Sequence, residues 1–253
     1  MDSTARKGRE QAFHDQRFAT DDDHRQYLGA AYRLMLGPNQ RYHQTVEGYA
    51  HGGRVLEYGC GRGENTLMFA RRGVDVNGID LSTRGVAHAR AEAARVGLNT
   101  TFQVMDAEQL AFAPKSFELV CGKGILHHLD VNKALAEIVR VLAPGGRAIF
   151  IEPLGSNPLI NWYRRRTPQE RTPDEKPLLP ADLDLIRTYF RTVEFTFYNL
   201  TTLLGVPIRN EKIFDQIKHW GERLDAWLFQ TCPWLRRHAW MVLMDLRHPI
   251  KGF

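Results

Sequence analysis

Three glycines at alternate positions, Gly59, Gly61 and Gly63, close a short apolar run, Val55-Leu56-Glu57-Tyr58, and precede a segment of helical character from Glu64. A chain turns from strand to helix within so few residues where side chains are absent, because glycine adopts positive φ without penalty. The turn leaves bare backbone beside a helix N-terminus, whose free N–H groups and partial positive charge suit a carboxylate or phosphate. A second apolar run, Val74-Asp75-Val76-Asn77-Gly78-Ile79-Asp80, ends in an acid. At that position a carboxylate can accept both hydroxyl hydrogens of a ribose.

The alternation continues. A helix is expected over 64–72, stopped by Gly73, and another capped by Ser82 or Thr83 that runs to Ala94, with Gly97 beyond its end. Strands are expected over 101–105 and 117–121, a helix over 133–142 ending at Pro144-Gly145-Gly146, and a fifth strand over 147–152. Strands and helices of this length in alternation imply right-handed crossovers and a parallel sheet covered on both faces. The expected fold class is therefore α/β and doubly wound. Residues 1–50 read as a helical N-terminal cover: Tyr27, Ala31, Leu34 and Met35 recur at helical intervals, and Gly37-Pro38-Asn39 reads as a stop. Residues 51–152 form the core. Residues 153–253 read as a lid insertion with terminal strands, the whole making one domain. Six prolines between Pro153 and Pro180 argue against regular structure there. A helix over 181–190, a β-rich run over 192–198, a helix over 212–229 and a strand over 239–246 follow. The last helix carries Ile213, Ile217, Trp220, Leu224, Trp227 and Leu228 on one face.

Composition narrows the class. At 253 residues the chain buries a core without disulfide or metal staples, and 43% hydrophobic with 25% charged residues is ordinary for a globular protein. No apolar stretch is long enough for a membrane span, and the polar start, Met1 to Lys7, argues against secretion. Cys60, Cys121 and Cys232 form no Cys-x-x-Cys pair, so reduced thiols in a cytoplasm are expected and no metal site is. Asp21-Asp22-Asp23-His24 reads as a solvated helix start without a metal role. A net charge of +5 permits an anionic ligand or membrane surface without requiring either.

Two cofactor classes use a glycine turn of this kind. The dinucleotide pattern Gly-x-Gly-x-x-Gly needs glycine where this chain has Glu64, which disfavours a nucleotide-dependent oxidoreductase. The acidic-x-Gly-x-Gly-x-Gly pattern from Glu57 to Gly63 resembles motif I of class I S-adenosylmethionine-dependent methyltransferases. Met105-Asp106-Ala107-Glu108, the Phe117–Leu129 run ending in Leu126-His127-His128-Leu129, and Arg140-Val141-Leu142-Ala143-Pro144-Gly145-Gly146 extend the likeness. The chain is similar to the small-molecule group typified by ubiquinone and menaquinone methylases. The resemblance implies a mostly parallel seven-stranded sheet with an antiparallel last strand inserted beside the fifth. It also implies S-adenosylmethionine as cofactor. Glu57 and the backbone of Gly59, Cys60, Gly61 and Gly63 would hold the methionine end, and Asp80 with Leu81 the ribose. Asp106 and Ala107 would hold the adenine, with Gly122 and Lys123 near the sulfonium. A cation beside a sulfonium is unfavourable, so Lys123 is expected to contribute backbone rather than charge.

Methyl transfer leaves the protein to position the acceptor, exclude water and remove a proton. Histidine suits the last task at neutral pH, so His127 or His128, with Glu152 as the alternative, is the expected base. The position after the fourth strand reads Gly122-Lys123-Gly124 in place of an Asn/Asp-Pro-Pro-Tyr/Phe motif, which disfavours methylation of nucleobases or glutamine, and no nucleic-acid partner is expected. The acceptor reads as a small molecule methylated at oxygen or carbon. Arg164-Arg165-Arg166 offers an anion clamp or a solvated run. The helix from Lys212, with Trp234, Arg236, Arg237 and Trp240, offers a peripheral membrane contact or core packing. A non-catalytic cofactor-binding protein is the remaining alternative.

Overall fold

The computed structural model describes residues 3–19, 29–50 and 52–250. Asp21, Asp22, Asp23, His24 and Tyr27 lie outside them. Two helices, α1 (Ser3–Ala19) and α2 (Gly29–Tyr49), precede the first strand. Then β1 (Arg54–Tyr58), α3 (Glu64–Arg71), β2 (Asp75–Asp80), α4 (Thr83–Arg95) and β3 (Thr101–Val104) alternate. They are followed by β4 (Phe117–Lys123), α5 (Val131–Val141) and β5 (Leu142–Pro153). The remainder supplies α6 (Pro158–Arg166), α7 (Pro180–Tyr189), β6 (Phe190–Tyr198), α8 (Glu211–Thr231) and β7 (Met241–Pro249).

The seven strands lie in the order β3-β2-β1-β4-β5-β7-β6. β1 to β5 pair in parallel, whereas β7 runs antiparallel between β5 and β6. Successive residues of β1 face opposite layers. Leu56 and Tyr58 join Val120 and Phe150 under α5 and α7, while Val55 joins Leu119, Ile149, Phe69 and Tyr42 under α2 and α3. The chain leaves β1 toward β2 and β3, then returns to β4 on the other side. That switch places a crevice at the carboxyl ends of β1 and β4, the usual ligand position in open α/β sheets.

Local chemistry explains several boundaries. The Ser82 side chain accepts from Gly85 N and caps α4, and Gly97 (φ 68°) lies just past its end. The glycine-proline stop expected at 37–39 is overturned, because α2 continues through Pro38. Proline there removes a bond to the carbonyl of Leu34, and Asn199 Nδ2 donates to that carbonyl at 3.3 Å instead. The proline-rich stretch is not wholly irregular either. Pro158 and Pro180 sit in the first turn of α6 and α7, where no intrahelical donor is needed. The β5 strand begins at Leu142, earlier than expected, so Pro144-Gly145-Gly146 lies inside it.

The face of α8 turned to the body carries Phe214, Gly221, Asp225 and Phe229. Ile213, Trp220, Leu224 and Trp227 point outward, while Ile217 and Leu228 of the same stripe are half-buried and Trp240 packs against the core. Asp225 is buried, and its carboxylate accepts from Leu200 N at 2.9 Å and from Thr201 N and Oγ1 at 2.7 and 2.6 Å. It thereby ties α8 to the turn after β6. An Asp225→Ala substitution strands these donors and is expected to cost about 3 kcal/mol. Urea unfolding reads this as a lower midpoint at unchanged slope.

Candidate functional site

The β1–α3 turn is built from its glycines. Gly59, Gly61 and Gly63 have φ of 66°, 53° and 84°. A Cβ at Gly59 would meet Ile125 at 2.8 Å, and one at Gly63 would meet Ala89 at 2.8 Å. Positive φ and lack of space thus select glycine independently at both positions. Cys60 N donates to Ile79 O at 2.9 Å, seating the turn on β2, while Gly61 N donates to Asp80 Oδ2 at 2.8 Å. Asp80 Oδ1 accepts from Ser82 N at 2.8 Å. Each carboxylate oxygen of Asp80 has a second lone pair left for a hydroxyl donor.

A cavity of about 130 Å³ opens above this turn. Gly59, Gly61, Asp80, Leu81, Asp106, Ala107 and His128 line it, together with apolar Ile79, Met105, Ile125 and Leu129. The arrangement suits a nucleoside: a carboxylate at one strand end, apolar side chains for a planar base, and a further acid after β3. Glu57, Cys60, Gly63, Gly122, Lys123, His127 and Glu152, expected at the site, are absent from this lining. Glu57 is buried below the turn, where its carboxylate accepts from Asn65 Nδ2 at 2.9 Å and from the Thr66 hydroxyl. Burial raises its pKa, and these bonds and the charge of Lys123 oppose the rise. The same Lys123 charge, after burial, lowers the pKa of His43. The Lys123 cation therefore acts on Glu57 and His43. Gly122 lies under Phe150 and Ile125, each within 3 Å of where its Cβ would be.

The two histidines part company. His127 is buried, with Nδ1 2.7 Å from Glu152 Oε2. Burial, then the neighbouring His128, lower its pKa against the pull of Glu152. Glu152 is fully buried, and its Oε1 accepts from Ile125 N and Leu126 N at 2.8 and 2.9 Å. The His127–Glu152 pair therefore fixes the turn after β4 and does not face the cavity. His128 does face it, with Nδ1 3.1 Å from Glu10 Oε2. Burial disfavours its charged form, but the bond and charge of Glu10, with Glu175 and Glu152, outweigh that and raise its pKa.

Helix α1 supplies what sequence reasoning missed: Arg6, Lys7, Glu10, His14 and Phe18 all line the cavity. Lys7 Nζ lies 2.6 Å from Asp106 Oδ2, and Arg6 pairs with Glu108. Asp15 accepts from the Ser82 hydroxyl and, at 3.1 Å, from Arg84 N at the start of α4. The only advance signal was the helical texture of residues 1–50, which says nothing of what the helix covers. The proposed anion clamp is partly committed elsewhere. Arg164 pairs with Glu175 at 2.8 Å, and Arg166 stacks 4.2 Å over Trp162.

A family model described as a methyltransferase domain matches residues 56–150. Aklanonic acid methyltransferase DauC of a Streptomyces species is 34% identical over 188 residues, 72% of this chain and 78% of that protein. A ubiquinone biosynthesis O-methyltransferase of Sinorhizobium fredii is 30% identical over 63% of this chain, and the match spans 66% of that protein's length. Among solved structures, phosphoethanolamine N-methyltransferase 2 of Haemonchus contortus with S-adenosyl-L-methionine has a TM-score of 0.61 at 20% identity, covering 91% of this chain and 59% of that one. The geranyl diphosphate C-methyltransferase of Streptomyces coelicolor has a TM-score of 0.57 at 14% identity, covering 84% and 79%. These two likenesses concern the fold.

Glu152→Ala removes the acceptor of two buried N–H groups. It is expected to expose the Ile125 and Leu126 amides to hydrogen exchange about a hundredfold faster, equivalent to about 2.7 kcal/mol. Unchanged protection at these amides would remove the anchoring role of Glu152.

Proposed function

This chain belongs to the S-adenosylmethionine-dependent methyltransferases, and from that premise we propose that it methylates an oxygen or carbon of a small, hydrophobic or lipid-like acceptor. The observation that carries the reading is an imidazole, His128, on the wall of the same cavity as the glycine turn and Asp80. The bound cofactor supplies an electrophilic methyl group on a sulfonium. Asp80 and Leu81 hold the ribose end, Asp106 and Ala107 the base, and the backbone at Gly59 and Gly61 the amino-acid end. Glu57, Cys60, Gly63, Gly122 and Lys123 support that cradle from below. Its apolar walls exclude water from the reacting atoms.

His128 acts as the base. With Nδ1 engaged by Glu10, Nε2 is the ring atom left to accept the acceptor's proton. His127 and Glu152 are both used in holding the turn, which favours His128 over either. Relatives named for ubiquinone biosynthesis and aklanonic acid, and a neighbour in fold named for geranyl diphosphate, support an organic acceptor. Calorimetry with S-adenosylhomocysteine, combined with turnover on a panel of phenolic and β-dicarbonyl acceptors, tests this. The wild type and His128→Asn both bind the product cofactor, while turnover falls about 10²- to 10⁴-fold in the variant. A folded wild type that binds no S-adenosylhomocysteine overturns the function, and full turnover by His128→Asn overturns the base assignment.

The exterior of α8 favours work at a membrane surface from a cytoplasmic location. Ile213, Trp220 and Trp227 recur at seven-residue steps along α8, with Trp234 in the turn that follows it, and they are 48%, 64%, 58% and 61% exposed. Arg223 and Arg237 lie 5.4 and 5.9 Å from the rings of Trp220 and Trp234. Indoles beside cations suit the boundary between anionic headgroups and acyl chains. Among the described residues no helix is long and apolar enough to cross a membrane, so contact would be peripheral. The chain is expected to co-sediment with anionic phosphatidylglycerol vesicles at low salt, and a Trp220→Ser/Trp227→Ser/Trp234→Ser variant to remain in the supernatant. Equal behaviour of the two proteins ends this part of the proposal.

A further inference from the structure

Glu10 reaches His128 from the opposite end of the chain and is buried, at 5% exposure. Burying a carboxylate is costly unless each oxygen is matched by donors or charge. Here Oε1 accepts from the Thr172 hydroxyl, while Oε2 is 3.1 Å from His128 Nδ1 and 3.6 Å from His14 Nε2. These partners hold the carboxyl well below the usual range against the opposing effect of burial. Docking of α1 does not rest on Glu10 alone. Arg9 makes a two-pronged pair with Asp174 at 2.7 and 2.9 Å, Lys7 reaches Asp106, and Asp15 caps α4. One oxygen of the buried carboxylate thus ties α1 to Thr172, and the other engages the imidazole.

We propose that Glu10 is the positioning residue of His128, and that α1, by lying across the cavity, delivers the carboxylate that completes the base. The inference rests on the reading of His128 as base. As the acceptor's O–H or C–H bond breaks, its electron pair stays on the acceptor and the proton forms a new N–H at His128 Nε2. The imidazolium so made is balanced by Glu10 across the existing Nδ1 bond. The other charged or titratable groups around His128 are His14 and Arg6 on α1, His127 beside it, Glu175 from the insertion and Glu152 from β5. The acids among them remain when Glu10 is neutralised, so His128 keeps part of its basicity.

The sign follows. His128 accepts a proton when neutral, so turnover rises with pH through its titration. Glu10 raises that titration, and Glu10→Gln lowers it. Imidazole ¹H–¹⁵N spectra of the cofactor-free protein read the midpoint directly. It is expected to fall by about one pH unit in Glu10→Gln, with the acid limb of kcat moving equally and kcat at its plateau falling at least tenfold. Glu10→Asp, which keeps the charge at shorter reach, lies between and serves as the second variant if Glu10→Gln fails to fold. S-adenosylhomocysteine affinity stays within about threefold, because the Lys7, Asp15 and Phe18 contacts remain. An unmoved His128 midpoint in either folded variant overturns the inference, and so does a cofactor affinity that falls in step with turnover. An inactive His128→Asn beside an unmoved midpoint removes Glu10 alone. A fully active His128→Asn removes the base reading itself.

Discussion

The carboxylate of Glu152 is the interaction on which the site depends. It is fully buried at the end of β5, and three groups from one short turn converge on it: two backbone N–H groups and the imidazole of His127. A carboxylate in that position would be prohibitive alone and is tolerated because its partners are all present. The consequence is geometric. The turn after β4 cannot drift, so Ile125 lies against Gly59 and His128 presents its ring to the cavity. A residue that touches nothing in the cavity thereby decides where two of its walls stand.

The glycine turn and the β4 exit are fitted to each other across the switch point. Gly59 and Gly122 each leave room for Ile125, and Gly63 leaves room for Ala89 and Phe102. Small residues here serve close approach between neighbouring segments as much as they serve a ligand. That accounts for Gly63 and Gly122 standing outside the cavity although they belong to the same pattern as residues that line it.

What the sequence made legible was local. Strand, turn, helix and the terminal acid of β2 are encoded within about 30 residues, the scale of one βαβ unit. The seven-stranded sheet and the inserted antiparallel strand came through resemblance. What escaped were partners far apart in the chain. Glu10 meets His128 and Thr172 at separations of 118 and 162 residues, and nothing in the periodicity of α1 marks it for burial. The continuation of α2 through Pro38 is hidden for the same reason, since the side chain that satisfies the orphaned Leu34 carbonyl is Asn199, 165 residues away. The His pair is visible in sequence, but which ring faces the cavity follows from Glu152 and Glu10 arriving on different sides.

The two halves of the cavity are also held by different physics. The floor belongs to the parallel sheet, whose ladder and apolar layers open only with global unfolding. The roof, α1, is held by pairs such as Lys7–Asp106 and Arg9–Asp174, in which the cation is 26% and 47% exposed. Contacts of that kind contribute modestly and are competed for by water and salt. The same helix also buries Glu10 against Thr172 and His128 and pairs Arg6 with the buried Glu108, so its exposed pairs are backed by contacts that water and salt reach less.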